Sequence, residues 1–146
     1  MTAKNDRSGL KMKNAGFTLI EVMVVVIILG LLSALVAPKF FSKIDQAKFR
    51  TAKTQIEMLG AALDSFRLDN GRYPTEAEGL KVLREKNPEL ENWHGPYLPK
   101  PVPEDPWGND YVYRYPGEHG PYDLVSYGQD GTQGGEGNNR DVVSWE

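Results

Sequence analysis

The sequence predicts an α+β chain in which one long N-terminal helix carries a small antiparallel sheet. Three observations predict it. Residues Phe17 to Ala37 form a run of 21 residues with a single charge, Glu21. Beyond Pro38, apolar residues recur at helical spacing. Near the C-terminus, two aromatic-rich segments, 111–115 and 122–127, have the alternation of strands.

The apolar run sets the broad class. As a helix it spans roughly 31 Å, the thickness of a bilayer's hydrocarbon core. A chain of 146 residues has room for one domain, and such a domain could hardly surround this helix on every side. An ordinary secretory signal is a poorer match. Its apolar region is about 7–15 residues and ends in A-x-A-like spacing, whereas Ala34-Leu-Val-Ala37 spaces its small residues differently.

Charge gives the orientation. Residues 1–16 hold Lys4, Arg7, Lys11 and Lys13 against Asp6, a net of +3, which leaves −6 on the rest of a chain whose total is −3. The basic leader is expected to stay in the cytoplasm and the C-terminal body to lie across the membrane. An acidic body disfavours nucleic acid as a partner, since phosphates need clustered Lys and Arg. The absence of cysteine excludes disulfides and thiolate metal sites.

Glu21 is the informative departure. A carboxylate at bilayer depth costs a few kcal/mol unless it is paired, and no cation stands near it in the sequence. Cutting between Gly16 and Phe17 creates an α-amine four residues, about one helical turn, before Glu21. A second copy displaced along its axis would then bring its amine to this carboxylate. The charge is neutralised only in an assembly, which is a physical motive for polymerisation.

Gly16-Phe17-Thr18-Leu19-Ile20-Glu21 before an apolar run resembles the processing site of type IV pilins and pseudopilins. The resemblance implies cleavage by a prepilin peptidase after Gly16, N-methylation of Phe17, and an assembly role for Glu21. It divides the chain into a cleaved leader (1–16), a transmembrane and polymerisation helix (17–38) and a pilin-like domain (39–146).

The second half of the helix is amphipathic. Ala52, Ile56, Leu59, Leu63 and Phe66 fall on one face, with Lys53, Glu57, Asp64 and Arg67 largely elsewhere. That stripe reads as packing against the chain's own body in preference to a coiled-coil surface. Asp69-Asn70-Gly71 should end the helix near Leu68, and Pro38 should bend or locally open it. The whole helix would hold about 50 residues and reach roughly 75 Å. Stacked copies related by a non-closing contact would make a helical filament.

In the body, Thr75-Glu-Ala-Glu78 reads as a capping box opening a short helix through about Glu85. Six prolines from Pro88 to Pro106 mark a punctuated loop. The strand segments Tyr111–Tyr115 and Tyr122–Tyr127 are joined by a turn over 116–121. A Gly-, Asn- and Asp-rich tail follows and ends in Val142-Val-Ser-Trp145.

Asp105-Pro-Trp-Gly-Asn109, Tyr111-x-Tyr113, Pro116-Gly117, Tyr122-Asp-Leu-x-Ser126 and Gly128-x-Asp130-Gly-x-x-Gly-Gly135 resemble the major pseudopilins of type II secretion systems. The resemblance covers nearly all of 16–145. It implies a type IV pilin-like fold and a single-pass bacterial inner-membrane subunit whose C-terminal domain is periplasmic. Copies would polymerise into a pseudopilus that helps drive exoproteins through the outer-membrane channel. The implied partners are further copies of the chain, minor pseudopilins, inner-membrane secretion components, the prepilin peptidase and membrane lipid. A type IV pilin or minor pseudopilin for adhesion, motility or DNA uptake is the alternative. A membrane-anchored binding protein or enzyme, which needs no cleavage at Gly16, is a third.

The resemblance also implies calcium in the C-terminal loop. Flexible loops of carboxylates and carbonyls suit calcium, and glycines let carbonyls turn inward. The implied ligands are Asp130 and Asp141 through their side chains, Asn139, and carbonyls at Tyr127 and Val143. Gly137 stands where members of that family often carry an aspartate; Glu136, Asn138 or Asn139 would have to substitute. The competing reading is a glycine-rich surface loop closed by Asx turns.

No catalytic machinery is evident. His119, Asp123 and Ser126 lie close in sequence, but nothing suggests an oxyanion hole, and the Gly134–Gly137 stretch lacks the Lys and strand–helix context of a phosphate loop. The tyrosines at 111, 113, 115, 122 and 127 read as packing more than as a ligand platform. The chain is not expected to be an enzyme.

Overall fold

The computed structural model describes residues 16–146, without the side chains of Ala37 and Pro38. The leader cations Lys4, Arg7, Lys11 and Lys13 lie outside the described residues. One helix dominates: α1 spans Leu19–Asn70, 52 residues. It runs without interruption through position 38, so the opening expected at Pro38 is not seen. Proline there removes one of many bonds in the ladder, and its neighbours maintain the helix.

The chain divides into two units, the second being Phe41–Glu146. In the first, every described side chain from Gly16 to Val36 is exposed. It is the one described helix long and apolar enough to cross a membrane, with a mean hydropathy of 2.9 over its best window and none of that window buried.

In the second unit, the face expected to be buried is buried. Ala52, Leu59, Leu63 and Phe66 are 0% exposed and Ile56 is 4%. Lys53, Glu57, Asp64 and Arg67 are exposed. The helix continues two residues past Leu68 to Asn70. Asn70 Nδ2 donates to the carbonyl of Phe66 at 3.0 Å, holding the last turn. Gly71 then takes a positive φ of 73° and ends it.

The 75–85 segment departs from expectation. The capping box is present: Glu78 N donates to Thr75 Oγ1 at 3.2 Å, and Thr75 N to Glu78 Oε2 at 2.7 Å. No α-helix follows. Gly79 adopts φ 59° and ψ −168°, which breaks the turn, and only a short 3-10 helix, Leu80–Leu83, comes after it. Glu78 is instead committed to a two-pronged ion pair with Arg72, at 2.7 and 2.8 Å.

Three short antiparallel strands complete the unit: β1 (Val112–Arg114), β2 (Asp123–Ser126) and β3 (Val142–Val143), in the order β1-β2-β3. Val112 pairs with Val125 and Arg114 with Asp123; Val125 also pairs with Val143. The first two strands are shorter than the segments read from sequence because their ends belong to turns. Every residue of β2 is buried, as suits a central strand. Leu124 joins Leu59, Leu63, Phe66, Leu83 and Leu98 in the core. Tyrosines edge this core: Tyr73 meets Tyr122 edge-on at 4.9 Å, and Tyr111 and Tyr113 reach out of it to Gln55 and to the carbonyl of Pro74.

Candidate functional site

The N-terminal motif forms its own small structure. Glu21 N donates to Thr18 Oγ1 at 3.3 Å, while Thr18 N donates to Glu21 Oε2 at 3.5 Å. Thr18 thus caps α1 and Glu21 answers it from the third helical position, a reciprocal capping box. The carboxylate also lies in the first turn, where the helix dipole favours negative charge. The Thr18-x-x-Glu21 spacing is the sequence signature of this box, unused in the expectations above. Two weak polar contacts soften the isolation of Glu21 without supplying a counter-charge. Phe17 is 81% exposed, and Gly16 is exposed among the described residues.

The C-terminal loop is built from the end of β2 to β3. Gly128, at φ 68°, lies so close to the next pass of the chain that a Cβ there would stand 2.8 Å from the carbonyl oxygen of Arg140. Gly135, at φ 98°, is pressed against Asn139 in the same way, at 2.6 Å. Only glycine tolerates this combination of angle and approach. Asp141 Oδ2 accepts the amide of Gly134 at 2.9 Å. The loop therefore gathers Gly128, Gly134, Gly135, Asn139 and Asp141, with Tyr127 and Val143 on the chain at its two mouths.

Asp130 is engaged locally instead, accepting the Thr132 amide at 3.2 Å in an Asx turn. Asn138 is turned to α1, its Nδ2 donating to Asp45 Oδ2 at 2.7 Å. Of the residues expected to replace the missing aspartate at Gly137, Asn138 is thus bound elsewhere, while Asn139 is exposed and packs its backbone against Gly135.

Two observations bear on a cation. Asp141 Oδ1 is buried and has no hydrogen-bond partner, the one such side-chain atom among the described residues. An orphaned carboxylate oxygen is costly unless something fills its place. Also among the described residues, no three His, Cys, Asp or Glu side chains gather. Any ion held here would lean on backbone and amide oxygens with few carboxylates. Calcium accepts such a donor set, whereas zinc needs nitrogen or sulfur. The donor types fit calcium.

Beneath the loop lies a polar knot that joins two of the motifs quoted above, a contact the sequence does not reveal. Asp105 is 4% exposed. Its Oδ1 accepts the amides of Trp107 and Asn109 at 3.0 and 2.9 Å, and its Oδ2 accepts the fully buried Ser126 hydroxyl. Gly128 N donates to Ser126 Oγ, and Asn109 Nδ2 donates to the carbonyl of Gly128 at 3.1 Å. The Asp105–Asn109 turn is thereby tied to the point where β2 enters the loop. An aspartate two residues before a Trp-Gly turn was the available signal.

The tempting triad does not assemble. His119 Nδ1 lies 3.1 Å from Asp123 Oδ2, but Ser126 Oγ donates to Asp105. Asp123 is 2% exposed; burial pushes its carboxyl up, yet hydrogen bonds from the His119 ring and the amides of Glu118 and His119 together hold it below the ordinary value. His119 stacks on Trp145, centroids 3.8 Å apart. These residues fasten the chain's end to β2.

Residues 39–145 match the family model for type II secretion system (T2SS) protein G, and residues 11–37 match that for the prokaryotic N-terminal methylation motif. The chain is 49% identical over 137 residues to the type II secretion system core protein G of Pseudomonas aeruginosa, covering 92% of this chain and 96% of that one. It is 47% identical to the Vibrio cholerae protein of the same name, covering 91% and 92%. The crystal structure of the major pseudopilin from the type 2 secretion system of enterohaemorrhagic Escherichia coli superposes with a TM-score of 0.61 at 35% identity, over 72% of this chain and 92% of that one. The methylation motif and the apolar helix behind it fit anchoring in the inner membrane, and the relatives are named as core proteins of a secretion system. By sequence and by fold, this chain belongs to the type II secretion system protein G family.

Proposed function

We propose that the chain is the major structural subunit of a type II secretion pseudopilus. In this reading residues 1–16 are a leader, removed by a prepilin peptidase between Gly16 and Phe17, and Phe17 is N-methylated. Residues 17–38 hold the subunit in the inner membrane as a single pass, and residues 39–146 form a periplasmic domain. Copies extracted from the membrane polymerise into a helical filament that helps drive exoproteins through the outer-membrane channel. Minor pseudopilins, inner-membrane secretion components and membrane lipid are its other partners.

The observation that carries the reading is Glu21 at the head of an apolar helix with no counter-charge beside it among the described residues. Its capping contacts with Thr18 are long, and an amine offered by another copy's Phe17 is the stronger partner. Exchanging the first for the second neutralises the carboxylate and favours assembly over the lone subunit. Mass spectrometry of the membrane form tests the first step: a chain starting at methylated Phe17 is expected, and an intact Met1 leader rules the reading out. The Glu21→Val chain should insert normally and yield few or no fibres beside the secretion machinery; fibres at wild-type frequency would exclude the charge-pairing account.

Calcium in the C-terminal loop belongs to the same proposal. Asn139 and Asp141 side chains and the carbonyls of Tyr127 and Val143 would hold it, joined by Asp130 through the oxygen its Asx turn leaves free, with the orphaned Asp141 Oδ1 as the supporting observation. Bound there, the ion supplies a multivalent cross-link between the end of β2 and the start of β3. The chain's part is to let the two passes of the loop approach closely at Gly128 and Gly135 and to leave Asp141 Oδ1 uncommitted.

A further inference from the structure

The loop has an outer side as well as an inner one. Asp141 accepts the Gly134 amide and the Asn139 backbone packs on Gly135, whereas Asn138 and Arg140 reach α1. Asn138 Nδ2 bonds Asp45 Oδ2 at 2.7 Å across 93 positions of sequence. The Arg140 guanidinium lies over the Phe49 ring, 4.7 Å from its centroid. Phe49 in turn meets Trp107 edge-on at 4.9 Å, and the Trp107 amide is held by buried Asp105. Asp45 and Phe49 are four apart on one helix face, close to Phe41, where this unit begins.

Each of these contacts is partly exposed and individually weak. Their strength depends on how rigidly the loop presents Asn138 and Arg140. That loop contains Gly128, Gly131, Gly134, Gly135 and Gly137, all at positive φ, and ordering so many glycines is entropically costly. Whatever fixes the inner residues therefore removes most of the cost of fixing the outer ones, since they alternate along the same few bonds. Binding at one side then tightens contact at the other without any change of fold.

We infer that Asp45, Phe49, Asn138 and Arg140 form a clasp through which a cation in the loop orders residues 41–53 of α1. This rests on the calcium reading above. Asp45 and Asn138 are positioning residues: they touch no metal and transmit the loop's order to the helix.

The test is hydrogen–deuterium exchange on the full-length chain in detergent micelles, with calcium chloride or with chelator, alongside calorimetry of calcium binding. Calcium should slow exchange in peptides covering 128–143 and, by about threefold or more, in those covering 41–53, the size expected when weak local contacts are reinforced. Asp45→Ala and Asn138→Ala, both surface substitutions, should keep calcium binding and loop protection while losing the helix effect. Loop protection with unchanged exchange at 41–53, or helix protection that survives both substitutions, would overturn the clasp and leave the metal reading standing. Absence of calcium binding in the wild-type chain would remove both.

Discussion

Replacing Asp105 by alanine should be the most damaging single change in the folded unit that leaves its hydrophobic core untouched. The carboxylate is 4% exposed and accepts three hydrogen bonds, two from amides and one from a hydroxyl that is itself fully buried. Hydrogen bonds to a charged group contribute about 1.5–3 kcal/mol each, and buried donors left bare add desolvation cost. The Trp107 and Asn109 amides can recover part of this by turning to water. The Ser126 hydroxyl, between β2 and the turn, has less room to do so. The expected loss is about 3–5 kcal/mol, a range typical of breaking a buried charged network. For a unit of this size that corresponds to roughly 15–30 °C in Tm. Urea titration of the full-length chain in micelles, followed by tryptophan fluorescence, reads it directly because Trp107 sits on the Asp105 turn. Asp105→Asn keeps an acceptor for the two amides and should cost less than half as much. A loss below about 1 kcal/mol for Asp105→Ala would mean the buried network contributes no more than a single neutral hydrogen bond typically does, and the reasoning would fail.

The acid limb of stability should be set by two carboxylates. The two-pronged bond from Arg72 holds Glu78 down at about 2 against an ordinary 4.5, and Asp123 is held below 3.8. Depressed folded-state values mean stability that is complete above the unfolded values and lost as pH falls through the folded ones. Denaturation midpoints should therefore be level above pH 5 and fall from about pH 4.5 downward, with a shallower fall in Glu78→Gln; an unchanged slope in that variant refutes the assignment. Gly128→Ala meets both a φ of 68° and a backbone oxygen at 2.8 Å. It should cost about 1–3 kcal/mol and weaken calcium binding, as calorimetry would show. Calcium at a hundred times its dissociation constant should raise stability by about 2.7 kcal/mol, and identical melting with and without chelator rejects the metal.

Much of this molecule was legible in its sequence because its strongest signals are periodic or local. The 4-3-4-3 spacing of Ala52 to Phe66 located the buried face residue by residue, and Asn70-Gly71 located the helix end within two residues. Gly79 defeated the reading of the 75–85 helix: a capping box states where a helix begins, but a glycine at φ 59° directly after it decides whether one continues. The Asp105 knot was illegible for a different reason. Its partners lie 2, 4 and 21 residues away, and only the folded sheet brings Ser126 to the turn. The candidate loop was half legible: composition marked its glycines and carboxylates, while the division of labour between Asn138 and Asn139 depends on where α1 passes.

The bare apolar stretch of α1 has a thermodynamic corollary. In water it would be driven into any greasy surface, but in the proposed reading its surroundings are lipid, and acyl chains are as oily as the leucines and valines of a sister helix. Moving from membrane to polymer releases no water and gains nothing from hydration. Reservoir and fibre should thus lie near balance, with Gly30, Ser33 and Ala34 offering close helix approach as a small bias. On that reading, assembly would then be steered by modest local chemistry, one amine meeting one carboxylate.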